Sequence, residues 1–154
     1  MRTGCFSVGK GNGSSMAEKN CLQPAMSREQ VNAMSSLALA HIGDAVFELL
    51  VRLHLAETGR ETSAGLHNAA VSMVKAEAQS RDMKLILPTL TEEELDVYHR
   101  GRNARVNSTP KHAKVGEYHE ATGLEALMGY LYLLGRTDRV NTLFELILEG
   151  NHAD

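Results

Sequence analysis

Ser35 to Leu50 reads SSLALAHIGDAVFELL, an apolar run with two carboxylates, Asp44 near its middle and Glu48 one turn on. A helix that packs on one side only carries apolar residues three and four apart. This run has more apolar and small residues than one such face needs, so a helix buried on more than one side is expected. An acid on a tightly packed helix is costly unless something positive meets it. The ordinary explanations for Asp44 are a solvated surface position or a cap, and the rest of the chain has to decide between those and a functional role.

Outward from this run the periodicity stays helical. Ser27-Arg-Glu-Gln30 has the form of a capping box, followed by Val31, Met34, Leu37 and Leu39 as a first helix. A second helix is expected from about His41 to Thr58, with Val46, Leu49, Leu50 and Leu53 as its apolar stripe and Gly59 as its stop. Ser63 to Leu87 (SAGLHNAAVSMVKAEAQSRDMKLIL) forms a third, closed by Pro88. Thr91 caps a fourth, whose first turn holds three glutamates where the macrodipole favours them. Gly101 to Gly116 (GRNARVNSTPKHAKVG) is a loop, since Asn107, Ser108 and Pro110 break any period. Glu117–Gly135 and Thr137–Gly150 are two closing helices, the last capped by Thr137.

No strand pattern occurs. The fold class is all-α, with one domain over residues 27–150 and a short tail at 151–154. Residues 1–26 contain GKGNGSS and no periodicity, and read as a disordered tail or in part a cloning remnant. A transit peptide is the rival there, but the segment carries only Arg2, Lys10 and Lys19 as cations and no amphipathic stretch.

With 154 residues the chain suits one domain with a proper core. No apolar run approaches the ~20 residues of a membrane helix, so no membrane partner is expected. Both cysteines, Cys5 and Cys21, precede the patterned region, which excludes a disulfide framework and fits a reducing compartment. The net charge of −3 hides an asymmetry: His99 to Lys114 holds Arg100, Arg102, Arg105, Lys111 and Lys114 with no carboxylate, leaving 11 cations against 19 anions elsewhere. A positive loop on an acidic body suits a site-directed anion binder, although a solvated basic turn looks the same by charge alone.

Asp44 has a companion in Glu125. Each lies in a helix of small and apolar residues with glycines close by, Gly43 beside one and Gly123 and Gly129 around the other. Glycine within a helix costs ~1 kcal/mol relative to alanine and usually marks close backbone packing. Two such acids converging would suit Mg²⁺, which takes one or two protein carboxylates and keeps several waters. Glu48, one turn after Asp44, reads as an exposed acid or a supporting one. The seven histidines show no metal-ligand spacing; His41 and His67 are the ones that could lie near the acids.

HIGDAVFELLVR followed by TGLEALMGYLYLLGR resembles the catalytic domain of the ribonuclease III family, which carries a Gly-Asp-Ala motif in one helix and Glu-Ala in a later one. Four ordered blocks, LALAHIGDAVFE, LHNAAVSMVKAEAQ, RGRNARVNSTPK and ATGLEALMGYLYLLGR, resemble the Mini-ribonuclease III form, which lacks a double-stranded-RNA-binding domain. The resemblance spans about Met34 to Leu148. It implies that Asp44 and Glu125 are catalytic and bind Mg²⁺, with Mn²⁺ as a substitute. It also implies a homodimer paired through the helices that carry Asp44, so that two sites act across one duplex. Full-length relatives carry further acids where this chain has Leu37, Ala40 and Thr122, which leaves a thinner metal site and sorts the chain with the Mini form.

The expectation is therefore a Mg²⁺-dependent endoribonuclease that cuts double-stranded RNA in the bacterial cytoplasm, with an organellar stroma as the alternative. The implied substrate is the paired stem of precursor large-subunit (23S) ribosomal RNA, and a ribosomal protein or pre-ribosomal particle is a further candidate partner. Arg100, Arg102, Asn103, Arg105, Lys111 and Lys114 are the candidate RNA contacts, with arginines forking onto phosphates and lysines acting as point charges. An aromatic share of 5%, with tyrosines at packing positions, favours recognition of a duplex backbone over base stacking. Two other classes stay open: a catalytically silent helical RNA-binding module, and an all-α nucleotide pyrophosphohydrolase, for which Glu117 and Glu120 have the Glu-x-x-Glu spacing but lack a second pair.

Overall fold

In the computed structural model the described residues are 18–24, 26–59, 61–106 and 114–153. Cys5, the rest of the first seventeen residues and Lys111 lie outside them. Among the described residues there are seven α-helices and no strand: α1 (Arg28–Asn32), α2 (Ser36–Glu57), α3 (Ser63–Val74), α4 (Ala76–Ile86), α5 (Glu92–Arg102), α6 (Val115–Leu133) and α7 (Thr137–His152), with a 3₁₀ turn at Leu87–Thr89. No described helix is long and apolar enough to cross a membrane.

The local chemistry of the helix starts is as expected at two places. Ser27 and Gln30 form a reciprocal capping box, and the Thr91 hydroxyl accepts from the Glu94 N–H at 3.2 Å. Elsewhere the boundaries move. The first helix is a single turn and a half, and Leu37 and Leu39 belong to α2, which starts at Ser36 because the Ser35 hydroxyl accepts from the Ala38 N–H at 3.1 Å. The expected third helix is two, broken at Lys75, whose extended backbone (φ −63°, ψ 151°) ends α3 and starts α4. Thr137 is the first helical residue of α7 and caps nothing; Arg136 takes the cap position without a side-chain bond. The tail expected from residue 151 is in part helix, since α7 runs to His152. The basic loop is also shorter at both ends, because Gly101 and Arg102 belong to α5, and Val115 and Gly116 to α6. Gly59 and Gly135 do stop α2 and α6 with positive φ of 89° and 76°, and after α6 the Arg136 N–H reaches back to the Leu131 carbonyl at 2.9 Å.

The core is built around α6, whose residues 121–133 are nearly all buried: Leu124, Ala126, Leu127, Met128 and Leu131 fully so. Helices α2, α4, α5 and α7 pack around it, and the α2–α6 contact is the most extensive of these. The buried face of α2 is Gly43, Phe47, Val51 and Leu55. The stripe expected from sequence is the wrong one: Leu49 and Leu53 are about half exposed, while Val46 and Leu50 are half-buried. Both faces of this helix are apolar, so periodicity alone could not say which one meets the core. One expected macrodipole acid has a larger part: Glu94 is buried and takes a two-pronged bond from Arg139 of α7 (Nε–Oε1 and Nη2–Oε2, both 3.0 Å).

Helices α2 and α6 touch backbone to backbone. A Cβ on Gly43 would lie 1.6 Å from the Glu125 carbonyl oxygen, and one on Gly129 would lie 2.0 Å from the Leu39 carbonyl oxygen. No side-chain movement relieves a clash with main chain, so the two helices would have to separate. Gly43→Ala and Gly129→Ala are each expected to destabilise the fold by roughly 3 kcal/mol or more. Gly116→Ala, where an added Cβ meets nothing within 4 Å, should be neutral or stabilising by ~0.5 kcal/mol. Urea unfolding of the three variants measures the contrast, and similar costs at all three would refute it.

Candidate active site

The Gly43–Gly129 crossing places the two acids singled out by sequence on facing surfaces of α2 and α6. Asp44 follows Gly43 directly, and it is the backbone oxygen of Glu125 that Gly43 touches. The side chains are close enough to repel: the Asp44 charge adds to the rise in the Glu125 pKa. The two differ in exposure. Asp44 stands at the surface and Glu125 is half-buried.

Neither acid is ion-paired with a lysine or arginine among the described residues, in contrast to Glu48, Glu93 and Glu94. Burial pushes the Glu125 carboxyl up to about 7, Asp44 adds to the rise, and Gln79 opposes it. Asp44 is also raised, by partial burial first and by Glu48 second, with His41 pulling the other way. His41 thus does lie near the acids, whereas His67 lines a separate cleft with Glu48 and Arg52. Glu48 is tied to Arg52 one turn on.

A cavity of about 520 Å³ opens beside Glu125, lined by Lys75, Glu77, Gln79, Glu117, Tyr118 and Thr122 among others. Its wall from Lys75 to Gln79 belongs to the α3–α4 break and the first turn of α4. Sequence reasoning drew no site residue from LHNAAVSMVKAEAQ, although two polar side chains four apart, Lys75 and Gln79, in an alanine-rich turn would have marked a shared face. Thr122, where larger relatives carry an acid, is buried and donates its hydroxyl to the Tyr118 carbonyl at 3.0 Å. The Glu-x-x-Glu pair is split: Glu117 faces the cavity, while Glu120 receives the Ser80 hydroxyl. No cluster of three or more His, Cys, Asp or Glu able to hold a metal forms among the described residues. Two carboxylates with mutual repulsion and no protein cation still fit a hard dication such as Mg²⁺, which needs one or two carboxylates and fills its remaining positions with water.

The candidate RNA contacts are spread along the end of α5 and the segment after it. Gly101 packs on Gly123 and Ala126 of α6, which roots that segment beside the turn that carries Glu125. Arg100 is held by Asp96 at 3.1 Å, and Arg102 lies over the Tyr98 ring at 5.5 Å. Asn103 is the C-cap of α5, with its side-chain oxygen 3.4 Å from Arg102 Nε. Arg105 is exposed, and Lys114 is 4.0 Å from Glu117. The tyrosines mostly pack as expected: Tyr98 lies on Gly123 and the Tyr130 hydroxyl donates to Glu93 at 2.6 Å, while Tyr118 faces the cavity.

The raised pKa of Glu125 makes stability depend on pH. Above about pH 4.5 the unfolded chain has released the proton that the fold retains to about 7, so stability falls as pH rises through that window. Partial exposure reduces the effect to roughly 2 kcal/mol. In EDTA the melting temperature should drop between pH 4.5 and 7, and Glu125→Gln should flatten the drop. Asp82, raised by burial to about 6, contributes a fall of the same sign that the variant leaves in place. An unchanged slope in Glu125→Gln would refute the assignment.

Comparison with known proteins bears on this arrangement directly. Residues 37–136 match the Ribonuclease III domain family. The chain is 43% identical over 124 residues to Mini-ribonuclease 3 of Thermoanaerobacter sp. (strain X514), covering 80% of this chain and 87% of that one. It is 47% identical over 114 residues to Mini-ribonuclease 3 of Desulfitobacterium hafniense (74% and 72% covered), and 42% identical over 118 residues to that of Synechocystis (75% and 81%). A crystal structure of a Fusobacterium nucleatum protein superposes with a TM-score of 0.72 at 31% identity, covering 79% of this chain and 97% of that one. With its two acids on facing helices inside the matched region, the chain belongs to the ribonuclease III family of endoribonucleases, in its Mini-ribonuclease III branch.

Proposed function

We propose that this endoribonuclease is a Mg²⁺-dependent homodimer that cleaves double-stranded RNA and matures the paired ends of precursor 23S ribosomal RNA in the bacterial cytoplasm. The observation that carries the reading is the pair of unpaired, mutually repelling carboxylates of Asp44 and Glu125 across the α2–α6 contact. Asp44 and Glu125 would hold the cation, for which Mn²⁺ can stand in. Bound there, a divalent cation supplies Lewis-acid polarisation of a phosphodiester and a more acidic water. The protein supplies the rest. The surface acid would face solvent and substrate, the half-buried acid is shielded, and the exposed Arg105 and Lys114 would offer positive charge to phosphates of the same duplex. The narrower substrate rests on likeness to the Mini-type relatives, and a pre-ribosomal particle or ribosomal protein is the corresponding partner.

The dimer reading has its own support. Beyond the buried face of α2 runs a second apolar row, Ile42, Val46, Leu49 and Leu53, of which Leu49 and Leu53 are about half exposed. With Tyr132 and Val140, Ile42, Val46 and Leu49 line an apolar groove of about 550 Å³. A second copy presenting the same row would cover it with two-fold symmetry, bringing one Asp44 from each copy to opposite sides of a duplex. Leu49→Glu is expected to shift the sedimentation of the protein from dimer to monomer. A parent that sediments as a monomer at micromolar concentration would remove the dimer from the proposal.

The function is tested with duplex RNA. The parent protein with Mg²⁺ should cut a precursor 23S stem, while Asp44→Asn should bind the same RNA and lose cleavage by at least ~10³-fold, the scale of removing one charge-stabilising group. Binding by both without cutting would favour the silent RNA-binding module. Arg105→Ala should weaken binding and lower the salt slope by about one unit; an unchanged slope would take Arg105 out of the interface.

A further inference from the structure

Helix α4 buries three polar side chains, Gln79, Ser80 and Asp82, each 2–4% exposed. Two have partners: Ser80 donates to Glu120, and Asp82 accepts from Asn151 Nδ2 at 2.9 Å. Gln79 does not. Its Nε2 is buried with no hydrogen-bond partner among the described residues, and the side chain lines the same cavity as Glu125. An unsatisfied buried amide costs ~1–3 kcal/mol, which a methionine or leucine of similar size would avoid.

We propose that Gln79 is a positioning residue for the metal site: its amide N–H₂ steadies one oxygen of Glu125 so that the other is presented to the cation. The inference rests on the reading of Asp44 and Glu125 as metal ligands. A ligating carboxylate is commonly held in turn by a hydrogen bond from behind, and loss of that bond weakens metal binding by ~10–100-fold. Burial on α4 suits the task, because a side chain packed on every side keeps one rotamer. The orientation of the amide follows from charge. Its carbonyl oxygen would be repelled by the carboxylate, whereas its N–H₂ is attracted to it. Lys75, four residues earlier on the same cavity wall, is drawn to Glu77 at 3.7 Å and leaves this position to Gln79.

The test is direct Mn²⁺ binding to the RNA-free protein, by calorimetry or by the spin-resonance signal of free Mn²⁺. It compares the parent with Gln79→Met, which keeps the volume and removes the N–H₂, and with Gln79→Leu as a second apolar replacement. The expected result is Mn²⁺ affinity at least ~10-fold weaker in both, with a melting temperature in EDTA equal to or above that of the parent. In cleavage assays the metal concentration for half-maximal rate should rise by the same factor, while the rate at saturating metal stays within a few-fold. Parent-like Mn²⁺ affinity would overturn the proposal and leave Gln79 a packing residue, as would variants that melt well below the parent in EDTA. If the parent binds no Mn²⁺, or Glu125→Gln binds it as well as the parent, the metal reading itself fails and this inference falls with it.

Discussion

Between Gly43 and Gly129 there is no room for a methyl group on either side. Helices α2 and α6 therefore meet main chain against main chain, and much else in the domain follows from that contact. It brings α2 close enough for Phe47 and Val51 to reach the interior around Leu127 and Leu131. It also sets Asp44 and Glu125 on opposing surfaces without spending a side chain between them. An alanine in either place would move the helices apart, and the separation of the acids with them. The glycines are weak helix formers, so the stability they forgo locally is recovered through packing.

The electrostatics of the pair run against folding. Two acids on facing helices repel, burial penalises the inner one, and no lysine or arginine among the described residues neutralises either. Other acids in the domain are treated differently. Glu94 is fully buried but receives Arg139, and Glu93 is held below the usual carboxylate range, chiefly by the Tyr130 hydroxyl and then by Arg136. Glu93 and Glu94 are thus neutralised within the fold, whereas Asp44 and Glu125 are the acids we propose as cation ligands. Perturbed carboxylates in a cleft mark functional sites with fair frequency, and here geometry and charge agree. The pair is asymmetric, Asp44 exposed and Glu125 half-buried, which suits the proposed roles of one acid facing substrate and one held from behind.

The basic segment illustrates how far charge counting reaches. Five cations within sixteen residues stand out in the sequence, yet they are not equivalent in the fold. Arg100 and Arg102 are engaged with Asp96 and Tyr98 on α5, whereas Arg105 is exposed beyond the helix. Composition could count the charges. Which of them α5 retains depended on the helix continuing through Arg102, and the glycine at 101 had read as a loop residue when it is in fact the close contact of α5 with α6.

Several features were legible in the residues alone. The all-α class follows from unbroken helical periodicity, the capping box at Ser27 and the cap at Thr91 from local hydrogen-bonding chemistry, and the pairing of Asp44 with Glu125 from glycines beside acids in apolar helices. The ribonuclease III likeness lay in the ordered blocks. These are local or patterned properties, and a chain carries them whatever it packs against. The tertiary structure decided the rest. A helix apolar on two sides cannot declare which side is inward, so the stripe through Leu49 and Leu53 had to yield to the one through Gly43, Phe47 and Val51. Lys75 breaks a helix that periodicity would run through, because α3 and α4 pack on different neighbours. The sequence marks Gln79 only as a polar residue one turn after Lys75; its burial beside a carboxylate forty-six residues further along the chain exists only once α4 and α6 pack together.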